Sequence, residues 1–403
     1  MSIKAFGSDA TAIKAYGGNV TKVMAYNVQV WGGGSPALPY DAEVEYLQST
    51  GTQWFEIPVK PNESTDAIEL VFRRTENTNQ QRLASCSSGQ VMNIYINGSG
   101  RVAYRNGSAW TALSSSNYAA VGLMKHTLKM DYANKVATYD FGTYNISANA
   151  SQVSTSNLIL FGAYSTSAVF KGLIYSVRYW RNGTLLYDLQ PVRKDGVGYL
   201  YDKIGGGMYG NVGSGSFTIG YNKYSSLSDY TQVDYIQNST TTANAPYIDV
   251  GVSSNGSLGA IDMTMIVKWN TIDSSKRQLF GSSYAPFFGC DGGVYKTRGT
   301  DMGLPTPSTT SYDTVSMTTY SGTPTNVGTM ALFRAVDPTN RAYTATTYIC
   351  SCKLKAFNIH VNNVLVRDYV AVLHPANVYG LFDKVENKFY ASASSGNFTG
   401  GFD

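Results

Sequence analysis

Apolar and polar residues alternate with period two along many short runs of this chain. Ile68-Glu69-Leu70-Val71-Phe72, Met92-Asn93-Ile94-Tyr95-Ile96 and His126-Thr127-Leu128-Lys129-Met130 either alternate or are short and apolar, as strands with one buried face do. No window of a dozen residues carries a convincing 3.6-residue period, so the pattern predicts an all-β protein. Asn97-Gly98, Asn106-Gly107 and Asn182-Gly183 predict hairpin turns, the last between Val177-Arg178-Tyr179-Trp180 and Leu185-Leu186-Tyr187.

The pattern is written twice. Residues 198–220 (GYLYDKIGGGMYGNVGSGSFTIG) return at 379–401 (YGLFDKVENKFYASASSGNFTGG), with Tyr201-Asp202-Lys203 falling on Phe382-Asp383-Lys384 and Phe217 on Phe398. Upstream, 173–189 parallels 353–369, so that Asn182 meets Asn362, Leu185 meets Leu365 and Asp188 meets Asp368. The starts match as VEYLQSTGTQWFEIPV (44–59) and VDYIQNSTTTANAPYIDVGV (233–252), and the middles match poorly. Each copy runs to about 175 residues, enough to bury its own core, so this is a duplicated domain and not a solenoid.

A shorter repeat opens the chain. Ile3-Lys4-Ala5-Phe6-Gly7 recurs as Ile13-Lys14-Ala15-Tyr16-Gly17 and, more loosely, as Val23-Met24-Ala25-Tyr26-Asn27, and the segment closes on Val28-Gln29-Val30-Trp31. Each unit reads as a short strand followed by a turn, at Gly7-Ser8-Asp9 and Gly17-Gly18-Asn19. Strands this short bury little by themselves, so residues 1–31 are expected to anchor the chain on a partner surface through Ile3, Phe6, Ile13, Tyr16, Val23, Tyr26 and Trp31. The alternative is a small sheet folded onto the first large domain. Residues 32–39, with Gly32-Gly33-Gly34-Ser35-Pro36, form a hinge. The first large domain spans 40–220, a linker 221–228, and the second domain 229–403, with long loops expected between 281 and 329, where glycine, proline and threonine concentrate.

Composition narrows the classes of function. Charged residues make up 14% and the net charge is +4 with no lysine or arginine run, which argues against a nucleic-acid partner. No stretch approaches the ~20 apolar residues of a membrane helix, and the N-terminus lacks the apolar core of a signal peptide. Synthesis in a cytoplasm without signal-directed export is therefore expected. Cys86, Cys290, Cys350 and Cys352 are not placed symmetrically in the two copies, so they read as small buried side chains and not as a disulfide frame.

The strings VEYLQSTGTQWFEIPV, GLIYSVRYWRNGTLLYDLQPVRKDGVGYLYDK and GSGSFTIG resemble concanavalin-like, laminin-G-like jelly-roll domains of structural proteins from phages of gut bacteria. Residues 172–220 match closely. Residues 353–401 match with Asn363 in place of the hairpin glycine and without a counterpart of Pro191. The resemblance covers most of 41–403, and the strand–turn leader ending in Trp31 before a glycine-rich joint looks like the leading segment of phage fibre proteins. The resemblance implies two tandem jelly-roll sandwiches behind a short β-repeat anchor, in a head-fibre or capsid-decoration protein of a crAss-like phage. It also implies a location in the virion, synthesis in the host bacterium, capsid or tail proteins as partners, a homotrimer, and weak contact with host or mucus glycans.

Chemistry is sparse. Glycoside hydrolysis usually uses two facing carboxylates, but the glutamates stand only at 43, 45, 56, 63, 69, 76 and 386, and nothing clusters the aspartates. His126, His360 and His374 have no nucleophile motif beside them. Gly205-Gly206-Gly207 lacks the Lys-Ser/Thr of a phosphate loop and reads as a hairpin turn. Asp291-Gly292-Gly293 and Asp301 are loop candidates for calcium without a recognisable ligand spacing. The expectation is a non-enzymatic protein with no metal and no cofactor. Among Trp54, Trp110, Trp180 and Trp269, Trp110 sits at a loop edge and is the candidate for stacking on a sugar. Two other readings stay open: a tail-associated receptor-binding protein or adhesin for host-surface glycans, and a polysaccharide depolymerase.

Overall fold

The computed structural model describes residues 38–403 apart from 77–79, 87–90, 107–108, 114–124, 140–141, 148–152, 163–167, 225, 241–244, 254–260, 273–276, 282–286, 298–299, 319–328, 334–348 and 395. Within 1–37 it describes the strand backbones 3–5, 8–10, 14–15, 18–19, 22–25 and 28–32. The chain forms two compact units, Met1–Asp41 and Ala42–Asp403.

The first unit holds three two-stranded antiparallel sheets: Ile3–Ala5 with Ser8–Ala10, Lys14–Ala15 with Gly18–Asn19, and Lys22–Ala25 with Val28–Gly32. Each ten-residue repeat is thus a hairpin and not a strand followed by a turn. The residues expected to turn (Ser8, Asp9, Gly18 and Asn19) form the return strands. Of the expected docking residues, Ile3, Val23 and Trp31 lie on strands; Phe6, Ile13, Tyr16 and Tyr26 lie outside the described residues.

The second unit is all-β and consists of two tandem antiparallel β-sandwiches, each a large sheet packed on a six-stranded one. In the first sandwich the large sheet runs Gly142–Asn145, Val136–Tyr139, Lys125–Asp131, Asp66–Arg74, Lys171–Arg181, Thr184–Lys194, Val197–Asp202 and Met208–Tyr209. In the second it runs Asp313–Thr318, Ile261–Trp269, Cys352–Val361, Val364–His374, Val378–Asp383 and Lys388–Tyr390. The strands occur in the same order in both. Leu47–Thr50 and Thr218–Ile219 complete the first sheet where Tyr235–Asn238 and Thr399–Gly401 complete the second.

The duplication extends to defects in the ladders. The pairing of Asp66–Arg74 with Lys171–Arg181 slips between Val71 and Phe72, and that of Ile261–Trp269 with Cys352–Val361 slips between Ile266 and Val267. Such bulges bend a strand locally and are specified by its context. The hairpin turns correspond as well: Asn182 and Gly183 have φ of 50° and 74°, Asn362 and Asn363 of 50° and 63°. Asparagine tolerates the left-handed region better than other non-glycine residues, which is why Asn363 serves in place of the glycine.

The shared Asp-Lys element is structural. Asp202 and Asp383 are both buried. Asp202 accepts from Asp188 N at 3.1 Å, Ile204 N at 3.0 Å and Gly205 N at 2.9 Å, and Asp383 from Asp368 N and Val385 N at 3.0 Å each. Each carboxylate thus satisfies backbone donors of the turn that follows it and one N–H of the neighbouring strand, Asp188 or Asp368. Gly205-Gly206-Gly207 is that turn, with Gly206 at φ 73°.

Asp66 organises the outer end of the first large sheet. Its carboxylate accepts from Arg181 Nε at 2.9 Å, Arg181 Nη2 at 2.8 Å, Thr65 Oγ1 at 2.7 Å, Asn62 N at 2.8 Å and the hydroxyl of Tyr179. Burial alone would raise its pKa. The bonds from Arg181, Tyr179, Thr65 and Asn62 outweigh burial and hold the carboxyl below the usual range.

Some local expectations change. Asn97 Oδ1 accepts from Ser99 N and Arg101 N, and Ile96 pairs with Val102, so this hairpin closes through a longer loop. The stretch 281–329 contains the strands Phe287–Asp291, Val294–Thr297, Thr300–Asp301 and Asp313–Thr318. Gly292 and Gly293, both at positive φ, make a tight turn there, and Asp291 is paired to Lys296 at 3.2 Å. Asp301 accepts from Gly303 N at 2.8 Å.

Aromatic packing joins the two sandwiches. Tyr221 and Tyr224 of the linker, with Tyr230 and Phe389 of the second domain, surround His374, their ring centroids 4.7–5.5 Å from its ring. Ala376 N donates to His374 Nδ1 at 2.9 Å, which leaves Nε2 to donate to Asn222 O at 3.1 Å. Arg73 of the first sandwich donates from Nη1 to Ala393 O of the second at 3.2 Å. Among the described residues no helix is long and apolar enough to cross a membrane.

Candidate functional site

Trp110 lies on the strand Ala109–Ala112, at the edge of the six-stranded sheet of the first sandwich, and is 38% exposed. Three neighbouring strands bring the rest of the site to the same outward face. The ladder sets Arg105 opposite Trp110, Ala103 opposite Tyr95, and Tyr95 opposite Arg82. Ala103 stands between the two rings in this register, and its single methyl leaves the indole room to reach across. The rings of Trp110 and Tyr95 meet with centroids 4.1 Å apart and planes inclined at 53°.

Two guanidinium groups border the rings. Arg82 Cζ lies 4.9 Å from the Trp110 centroid and 5.4 Å from that of Tyr95, and Arg105 Cζ lies 5.6 Å from Trp110. Arg82 is held in turn by a bond from Nη1 to Asn93 Oδ1. Burial lowers the Arg82 pKa, with Tyr95 opposing and Arg105 adding to the shift. Cation–π contacts of this kind contribute about 0.5–1 kcal/mol each at exposed sites and fix ring orientation as well. The result is an outward aromatic surface with fixed donors at its border, complementary to a flat ring with apolar C–H faces and peripheral oxygens.

The other tryptophans are placed differently. Trp54 is half-buried behind Gly162 and Gly213, where a Cβ would come within 2.5 Å and 2.6 Å of it. Trp180 is half-buried beneath the Lys129 ammonium, 4.7 Å from its ring. Trp269 is fully buried in the second core, where its Nε1 donates to Tyr295 OH at 3.0 Å and that hydroxyl donates to Asp313 at 2.7 Å. The second sandwich therefore has no equivalent of the Trp110 platform among its described residues.

The histidines and cysteines stay apart from this site. His126 is buried and bonded to Tyr139 OH at 2.8 Å, and His374 belongs to the joint. The four cysteines are free and buried, with the sulfurs of Cys350 and Cys352 3.2 Å apart. Glu63 is buried and accepts from Met92 N at 2.8 Å. Among the described residues no three His, Cys, Asp or Glu side chains stand together as a metal site would require. Sequence reading found Trp110 but not Tyr95, Arg82 or Arg105; these lie 5 to 28 positions away and meet only through strand register.

No family model and no curated protein matches the chain. Among solved structures it is similar to domains LG4-5 of the mouse laminin alpha1 chain, at 12% identity over 92% of this chain and 84% of that one, with a TM-score of 0.29. It is also similar to a point mutant of the NanB sialidase of Streptococcus pneumoniae, at 8% identity over 87% of this chain and 75% of that one, with a TM-score of 0.21. The fold assignment rests on the sheet order and pairing described above.

Proposed function

We propose that the chain is a non-enzymatic structural protein of a virus particle, a head fibre or capsid decoration, that displays carbohydrate-binding sandwiches. The observation that carries the binding role is the outward indole of Trp110, set against Tyr95 and bordered by Arg82 and Arg105. A sugar would stack its C–H face on the exposed aromatic surface and turn its hydroxyls to the guanidinium groups. The display role is supported by the leader: isolated two-stranded hairpins are marginal alone, so residues 1–31 gain stability by docking on a partner or on copies of themselves, most simply in a homotrimer. Weak single-site binding would then be strengthened by multiple copies.

The test is a glycan-binding screen of the full chain beside Trp110→Ala. Loss of at least tenfold in affinity for the sugars bound, with an unchanged melting temperature, is expected; equal binding by the variant overturns the platform. Deleting residues 1–31 is expected to leave folded sandwiches that no longer enter particles. The same geometry serves a tail-associated receptor-binding protein, and electron microscopy of particles separates the two locations. New reducing ends after incubation with capsular polysaccharide or mucin would favour a depolymerase instead.

A further inference from the structure

Between the outer face of the first large sheet and the flank of the second sandwich lies a cleft of about 600 Å³. Its lining carries six cationic side chains and four carboxylates, with Asp188 and Asp383 beside two of the arginines. Arg178 is neutralised by Glu69 and Asp188, both at 3.4 Å, and Arg367 by Glu386 at 2.7 Å and Asp383 at 3.5 Å. The carboxylates gather at those two arginines, while Arg73, Lys125, Lys223 and Lys388 line the cleft with no carboxylate at ion-pair distance among the described residues, although Glu45 and Asp249 line it too.

The register sharpens the point. Arg73 and Lys125 are directly opposite each other on neighbouring strands, on the face that looks into the cleft. Like charges at that spacing destabilise a sheet. Two same-face positions along the same ladder, beyond Val71 opposite Thr127, the pairing is the favourable one, Glu69 opposite Lys129. Lys388 faces the pair from the second sandwich and Lys223 from the linker. The Arg73 Nε is buried and without an acceptor among the described residues, while Nη1 of the same guanidinium donates to Ala393 O. The Lys125 ammonium lies 4.2 Å from the Tyr175 ring, and Lys388 lies 4.8 Å from that of Tyr390. Burial first, and then Lys388 and Lys223, push the Lys125 pKa down to about 7, with Glu45 and Asp249 opposing. A cluster of this kind is stabilised by an anion that enters with it.

We propose that this cleft binds a sugar carrying a carboxylate, the carboxylate set among Arg73, Lys125 and Lys388 and the sugar ring between Tyr175 and Tyr390. The walls decide for a sugar over a bare ion. The volume is many times that of a carboxylate, two of the cations already lie over aromatic rings, and Ser176, Gln190 and Ser392 supply hydroxyl-compatible partners. The site is separate from the Trp110 platform and does not depend on it.

The test is calorimetric titration of the full chain with glucuronic acid and N-acetylneuraminic acid at pH 6, with glucose and galactose 6-sulfate as comparisons. Binding of a carboxylated sugar but not of glucose is expected. Lys125→Met and, as a second variant on the other sandwich, Lys388→Met should each weaken it at least tenfold without lowering the melting temperature, since each also relieves like-charge repulsion. Trp110→Ala should leave it unchanged, so that failure of the platform and failure of the cleft are distinguishable. Raising the pH from 6 to 8.5 should weaken binding by about tenfold or more as Lys125 loses its proton. No binding at 20 mM, equal binding of glucose, binding of the sulfated sugar alone, or unchanged affinity in both lysine variants overturns the proposal.

Discussion

Replacing Asp66 by asparagine isolates one electrostatic element of the first sandwich. The carboxylate receives five donors: two from Arg181, one each from Tyr179, Thr65 and the Asn62 amide. An amide of the same shape offers one acceptor oxygen and turns two N–H groups toward the rest. The least costly orientation places its nitrogen toward Thr65, whose hydroxyl rotates to accept, and against Arg181 Nε, which then loses its acceptor. The Arg181 side chain is 35% exposed, so water recovers part of the loss. An unpaired donor costs about 1–3 kcal/mol and the lost charge on the remaining bonds adds to it, for a total of about 2–4 kcal/mol. For a sandwich of this size that is a fall of roughly 5–15 °C in melting temperature. The pH dependence gives an independent check. A carboxyl held below its ordinary pKa contributes stability above about pH 4, and that contribution is lost as the pH falls through the folded value. Calorimetry of both proteins between pH 2 and 7 is therefore expected to show the difference at neutral pH and its shrinkage in acid. A loss below about 1 kcal/mol, or a difference that does not change with pH, would refute this account of Asp66.

Two other outcomes follow from buried groups. His374 is held below its ordinary pKa by burial, with the Asn222 carbonyl and Glu45 opposing only in part, so the joint is most stable above about pH 6.5 and weakens as the pH falls below it; cleavage of the 221–230 segment by a protease active across that range should speed up from pH 7 to pH 5, and a flat rate contradicts it. All four thiols are buried, and burial pushes the Cys86 thiol up to about 12, so a thiol reagent should react with none of them in the native chain and with four after denaturation; one rapid native reaction refutes the packing.

Much of the fold was legible because it is written in short-range patterns. Period-two runs such as 68–72 and 126–130 became paired strands of one sheet, and the duplicated Asn-x and Asp-Lys elements became the same hairpins in both copies. The leader was harder, since Ser8-Asp9 and Gly18-Asn19 carry turn chemistry yet form return strands; in repeats this short, pairing geometry overrides single-residue preference. The stretch 281–329 was legible only in part, since it holds a strand-free run at 302–312 as well as strands. Its glycines and prolines punctuate closely spaced strands, and composition does not distinguish that from a long loop.

The sites were less legible than the fold, and the cause is register. Trp110 stood out in the sequence, but Arg82, Tyr95 and Arg105 join it from three other strands only once the ladder places all four on one face, and a one-residue slip in any strand would turn its member into the core. Arg73 and Lys125 are more than fifty residues apart and become a repulsive pair only through the pairing of 66–74 with 125–131. A duplicated scaffold can hold its cores and turns constant in both copies while such cross-strand pairs diverge, because outward residues cost little stability individually. The Trp110 platform in one sandwich, and the opposed Arg73 and Lys125 on the wall of a cleft that the second sandwich also lines, are what that freedom would produce.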